Sequence, residues 1–271
     1  MKLRELCAAL QSVGVEEAEA EAEARLLFQK LGGLSAADLW INDHDLSAPA
    51  LADAINRRKS GEPLAYILGE AYFYRESYRV TPDVLIPRSD TEILVDYAVK
   101  SLPKNAVFAD LCTGSGCIAV SVLANRPDTR AIAVDLSEKA LAIAEKNAEK
   151  NGVSSRITFL RQDVLSPFSI QKCDAILSNP PYIKSKIVPQ LSKEVAHEPK
   201  MALDGGSDGL DFYRTMLDYL PDQLPPHGLL LFEIGYDQKE EIKALADDAG
   251  LLCKVQNDYG GNPRLAILRK A

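Results

Sequence analysis

The stretch Asp110-Leu111-Cys112-Thr113-Gly114-Ser115-Gly116 (DLCTGSG) joins two apolar runs of different length, and its reading decides the fold. Before it, AVFA at 106–109 has the length of a buried strand. After it, CIAVSVLAN at 117–125 has the length of a helix. Glycines at a strand-to-helix turn let a ligand approach the backbone closely. Gly114, Gly116 and Ala119 also fit the G-x-G-x-x-A form of a nucleoside-binding turn, and Asp135 stands about 20 residues further on, at the end of the next strand, where a ribose-binding carboxylate belongs. The turn therefore indicates a nucleoside cofactor without saying which one.

From Pro103 onward the same alternation continues. RAIAVDLS, RITFLRQD, DAILSNP, GLLLFEIG, LLCKVQND and RLAILRK read as strands, with helical patterns such as EKALAIAEKNAEK, DFYRTMLDYL and EEIKALADDAG between most of them. This pattern calls for an α/β fold, a Rossmann-like and mostly parallel sheet covered on both faces. The last two strands are joined by DYGGNP at 258–263, a hairpin signal that makes the final strand antiparallel. The strand ends place Asp110, Asp135, Asp163 and Asn179 along one crevice edge.

Asn179 opens the second informative stretch, NPPY at 179–182. Pro180 and Pro181 end the preceding strand, since neither has an N–H for a ladder. The turn then offers two acceptors, the Asn179 side-chain oxygen and the Pro180 carbonyl, with Tyr182 as a flat wall beside them. Two acceptors and a wall suit a planar NH2 group, an amide or an aromatic amine. A proline-terminated strand with a local Asx turn would have the same local sequence.

The N-terminal 1–61 reads as a small helical bundle. Leu3, Leu6 and Leu10 recur at helical spacing, and an Ala/Glu-rich run from Glu16 to Glu23 reads as a solvated helix face. Gly32 and Gly33 end that helix, Ser35 suits the cap of the next, Ser47 with Pro49 the start of another, and Trp40 is expected to pack between them. Residues 62–88 concentrate four of the ten tyrosines together with Phe73 and read as a β-hairpin linker, either a binding lip or a packing surface. Residues 89–271 form the α/β domain, opening with Ser89-Asp90-Thr91-Glu92 in capping-box form.

Composition bounds the function. A net charge of −8 disfavours a protein whose main work is gripping a nucleic-acid backbone. The five cysteines contain no CxxC pair and read as reduced thiols, and the three histidines have no metal-ligand spacing, so no metal is expected. No apolar run approaches a membrane span and charges stand at the N-terminus, which points to the cytoplasm.

Taken together these residues resemble class I S-adenosylmethionine-dependent methyltransferases. Within that class they are similar to the HemK/PrmC-like glutamine-N5 methyltransferases that modify peptide chain release factors. DLCTGSGCIA at 110–119 looks like the family's cofactor loop and NPPY its catalytic motif. AYILG at 65–69, VLIPR at 84–88, EP at 198–199, GGSDGL at 205–210 and LFEIGY at 231–236 match further. The family's usual Pro-Glu-Thr-Glu is Ser89-Asp90-Thr91-Glu92 here.

The resemblance implies a methyl transfer from S-adenosylmethionine to the glutamine amide of a Gly-Gly-Gln loop in class 1 release factors, by a monomer with no direct nucleic-acid partner. It implies donor contacts at Asp110, Thr113, Gly114, Gly116, Asp135, Leu136, Asp163, Val164 and Asn179. Substrate contacts are implied at Asn179, Pro180, Pro181, Tyr182, Phe73 and Arg88, with Asn179, Pro180 and Tyr182 carrying the chemistry. An adenine-N6 methyltransferase sharing NPPY, a dehydrogenase using the glycine turn and a non-catalytic nucleoside-binding protein are the rival readings.

Overall fold

The structure, a computed structural model, describes residues 2–41, 49–170 and 172–270. Ser47, His44 and the Trp40 side chain lie outside the described residues. Contacts divide the chain into two compact units, Met1–Glu70 with Ser192–His197, and Ala71–Leu191 with Glu198–Ala271.

The first unit is helical: α1 (Leu3–Gln11), α2 (Glu17–Gly32), α3 (Ala36–Ile41), α4 (Pro49–Lys59) and α5 (Leu64–Leu68). Leu6 and Leu10 of α1, Ala24, Leu27 and Phe28 of α2, Leu51 and Ile55 of α4 and Ile67 of α5 make one core. Ser35 caps α3 as expected, its hydroxyl accepting from the Asp38 N–H while its own N–H reaches the Asp38 carboxylate at 2.8 Å. The acidic face needs one correction. Glu16, Glu17, Glu19 and Glu21 are exposed, but Glu23 is buried and forked onto Arg58 of α4 at 2.8 and 3.0 Å. Arg58 also reaches Glu194, in the 192–197 segment, at 2.8 Å.

The second unit begins at Ala71, within the hairpin of strands β1 (Glu70–Phe73) and β2 (Glu76–Arg79). Residues 64–68, read above as part of the hairpin, are helical instead, because Gly69 adopts φ +69° and closes α5 behind Tyr66 and Ile67. The capping box at 89–92 also takes another form. Ser89–Thr91 make a 3₁₀ turn before α6 (Glu92–Ser101) with no side-chain cap, and the Glu92 carboxylate accepts the Tyr74 N–H at 2.8 Å.

The sheet comprises β3 (Val107–Leu111), β4 (Arg130–Asp135), β5 (Ile157–Arg161), β6 (Ala175–Ser178), β7 (Leu229–Glu233), β8 (Leu251–Asn257) and β9 (Pro263–Lys270). Their spatial order is β5-β4-β3-β6-β7-β9-β8, with β9 antiparallel to both neighbours and the other pairings parallel. Alternate residues serve opposite faces. Phe108, Ala133, Leu177 and Leu231 point into one core with α6 and α7 (Cys117–Asn125). Ala109, Val134, Ile176 and Leu230 point into the other with α9 (Asp211–Tyr219) and α10 (Lys239–Asp248). α8 (Glu138–Lys150) completes the first layer through Ala148. Strand order reverses between β3 and β6, which puts the crevice of such a sheet at their carboxyl ends.

Candidate active site

A cleft of about 540 Å³ opens at those carboxyl ends, entirely within the second unit. Thr113 and Gly114 line it from the turn after β3, Asp135 and Leu136 from the end of β4, Asp163 and Val164 from beyond β5, and Asn179 and Pro181 from beyond β6. Arg88 and Thr91 close another side.

The turn after β3 is bent by three left-handed residues, Cys112 (φ +58°), Gly114 (φ +54°) and Gly116 (φ +79°). Gly114 lies on the cleft wall. Gly116 does not, and its need is packing, because an added Cβ would stand 3.0 Å from the Ala144 Cβ on α8. Asp110 is also absent from the wall, contrary to the crevice-edge expectation. It is fully buried beneath the turn, where its Oδ2 accepts from the Thr113 hydroxyl at 2.6 Å and from the Ala119 N–H at 3.1 Å. Burial pushes its carboxyl up to about 7 and leaves Oδ1 without a partner. Asp110 thus shapes the loop from below. Asn147 of α8, fully buried, braces the same loop by donating to the Ser115 carbonyl at 2.8 Å.

Asp135 accepts the Gly114 N–H at 2.9 Å and the Ser137 N–H at 2.8 Å, and burial raises its carboxyl. A carboxylate has about four acceptor positions. Two therefore remain for a ligand diol. Asp163 likewise spends one on the Leu165 N–H at 2.9 Å.

In the NPPY segment, Asn179 Nδ2 donates to the Thr91 hydroxyl at 3.2 Å. Pro180 is buried and Tyr182 is not on the cleft wall; its hydroxyl turns to the Glu233 carboxylate at 3.4 Å, and burial raises that phenol. The expected flat wall is thus drawn into the core by β7. Phe73 is no lip residue either, since it is 2% exposed and packs edge-on against Tyr78 at 6.0 Å. Arg88 pairs with buried Glu198, which also accepts the Ile86 N–H at 3.0 Å.

Gln238, at the head of α10, ties the segment together. It donates to the Tyr182 carbonyl at 3.1 Å and to the Gly209 carbonyl at 3.0 Å while accepting the Gly235 N–H at 2.8 Å. A Cβ added at Gly205 would stand 2.6 Å from the Pro181 carbonyl and one at Gly209 closer still to the Tyr182 carbonyl, so the loop must be bare at these two positions to lie against NPPY.

With this geometry in place, two family descriptions match, PrmC N-terminal domain over residues 2–69 and Methyltransferase small domain over residues 89–208. A release factor glutamine methyltransferase from Moorella thermoacetica is 41% identical over 94% of this chain and 92% of its own length. The chain belongs to the release factor glutamine methyltransferase family. A second family member, from Geobacter sulfurreducens, is 39% identical over 94% of this chain and 91% of its own. The fold extends further, to a ribosomal protein L11 methylase from Lactobacillus delbrueckii subsp. bulgaricus, at 21% identity and a TM-score of 0.53 over 72% of this chain and 86% of that one.

Several residues that shape the cleft and its loops escaped the sequence reading. Thr91, Glu198, Glu233 and Gln238 lie within or beside motifs and Asn147 within α8, yet their partners are distant in sequence. Glu233 carried the best signal, a carboxylate in an otherwise apolar run.

Proposed function

We propose that this protein transfers a methyl group from S-adenosylmethionine to the side-chain amide nitrogen of the glutamine in a Gly-Gly-Gln loop of class 1 peptide chain release factors. The observation that carries the reading is the convergence of Asn179 and Asp135 on one cleft: an amide-holding acceptor and a ribose-holding acceptor, at the ends of strands on either side of β3.

The residues fit a nucleoside donor. Gly114 gives backbone access, Asp135 has acceptor capacity for a ribose diol, Leu136 and Val164 offer apolar contacts, and Asp163 can take an adenine amino group. The cleft volume is in the range of small-molecule sites. When bound, the donor supplies an electrophilic methyl on a sulfonium.

The chain's own task is to hold a nitrogen in line behind that methyl. A primary amide is a poor nucleophile because its lone pair is delocalised into the carbonyl. Asn179 Oδ1 and the Pro180 carbonyl, each accepting one N–H, would orient the nitrogen and stabilise the positive charge that grows on it. The proton becomes acidic only as the new bond forms, so no strong base is required. Tyr182 supports this turn from the core side, and Arg88, fixed by Glu198, borders the substrate entrance.

The helical unit, matching a description of its own, is assigned to gripping the release factor away from the reacting glutamine. The protein is read as a cytoplasmic monomer acting on protein and not on nucleic acid; among the described residues no helix is long and apolar enough to cross a membrane. Mass spectrometry of a release-factor digest after incubation with S-adenosylmethionine tests the reading. A gain of one methyl on the Gly-Gly-Gln glutamine supports it. Methyl label in oligonucleotide adenine, with none in the release factor, overturns it.

A further inference from the structure

Asn179 can serve as an acceptor only if its amide faces the right way. With Oδ1 turned to the cleft it receives an N–H from a substrate amide. With Nδ2 turned there it sets donor against donor. Something must choose between two orientations of nearly equal shape.

The residue in contact with the other end of the amide is Thr91, whose oxygen receives Nδ2 at 3.2 Å. Thr91 is 2% exposed and borders the cleft. A hydroxyl has one proton, and it can donate or accept in a given direction according to where that proton goes. Left alone, Thr91 could donate to Oδ1 of a flipped amide as readily as it accepts from Nδ2.

Glu233 removes that freedom. It sits 2% exposed at the end of β7, its Oε1 takes the Tyr182 hydroxyl at 3.4 Å, and its Oε2 is left without a close, well-aligned hydrogen bond. The Thr91 hydroxyl faces this carboxyl and favours its ionised form. A buried acceptor with an open lone pair draws the nearby hydroxyl proton strongly. Once that proton points to Glu233, the Thr91 oxygen has only lone pairs to offer Asn179.

We propose that Thr91 is a positioning residue for the Asn179 amide: with its proton committed to Glu233 it can only accept from Nδ2, which leaves Oδ1 facing the substrate. This rests on the methyl-transfer reading above, and its readout is separate. In terms of chemistry, the polarity runs from carboxylate to hydroxyl to side-chain amide to substrate amide, each group accepting from the next.

The test uses the full-length protein, intact release factor and single-turnover transfer at saturating donor. Thr91→Val keeps the shape and deletes the hydroxyl, and should slow transfer on the order of tenfold while donor affinity by calorimetry stays within about twofold. Thr91→Ser should recover the rate to within about threefold of the native protein. Adding Thr91→Val to Asn179→Ala should cost little further, since the amide to be aimed is gone.

Native rates in Thr91→Val, no rescue by serine, or a second full loss in the Asn179→Ala background would each overturn the proposal. Thr91→Ala replaces the valine variant, under the same criteria, if the latter no longer binds donor. A native protein that methylates no glutamine overturns the functional reading and this proposal together, whereas an active native protein with an indifferent Thr91→Val overturns the proposal alone.

Discussion

Asp135 holds the Gly114 and Ser137 N–H groups with one carboxylate and, in the proposed function, gives its remaining lone pairs to a ribose. Asp135→Ala should therefore weaken S-adenosylmethionine binding by about 1–3 kcal/mol, read by calorimetry. Asn179→Ala should leave that affinity nearly unchanged and slow single-turnover transfer about a hundredfold, because the proposed role of Asn179 is to hold the substrate amide. At this scale the sequence was informative where topology alone assigns the place. Asp135, Asp163 and Asn179 end strands, and strand ends of a parallel sheet line the crevice. It was silent where a role depends on tertiary neighbours. Thr91 meets Asn179, Glu198 meets Ile86 and Gln238 meets Tyr182 across long stretches of chain, and no local pattern encodes those pairings. Asp110 at the end of β3 and Tyr182 after β6 were placed at the right points of the chain but facing the wrong way, since burial of each side chain is decided by what packs beneath.

Among the elements, the helical unit shows most clearly how a local pattern can mislead. The Ala/Glu run of α2 looks uniformly solvated, but one turn of the helix carries Glu23 inward to meet Arg58 from α4. Burial pushes the Glu23 carboxyl up against the opposing pull of that guanidinium. Removing one member leaves the other charge buried. Arg58→Ala should thus destabilise the protein by about 3–5 kcal/mol in chemical denaturation. Glu194→Ala, which removes a half-exposed partner of the same arginine, should cost under about 1 kcal/mol. The 3₁₀ turn at 89–91 has a similar cause: Glu92, free in sequence to complete a capping box, is taken by the Tyr74 N–H of the hairpin. The strands and the long helices of the second unit were legible because period and length agree there; the short α5 and the 3₁₀ turns were not, because each is too short to show a period.

For the molecule as a whole, ionising the buried Glu233 carries a stability cost. Burial raises its carboxyl from 4.5 to about 7, so below 4.5 the acid is neutral in both folded and unfolded chains. As pH climbs from 4.5 to about 7 the unfolded chain releases the proton first, and folding stability should fall by about 3 kcal/mol across that window. Asp110, also held up to about 7 by burial, adds to the fall with the same sign. Denaturation of the native protein and Glu233→Gln at several pH values checks this: the stability difference between them should shift in favour of the glutamine variant over the window and level off above it. The position of β9 has a different consequence, one that belongs to synthesis. Because β9 lies between β7 and β8, the edge of β7 at residues 229–233 has no strand to pair with until residues 263–270 have been made. A nascent chain paused anywhere before them presents LLLFE as an open, apolar edge, the kind that recruits other chains. Chains cut short by a few residues at this strand should therefore accumulate as aggregates and not as a slightly weakened enzyme.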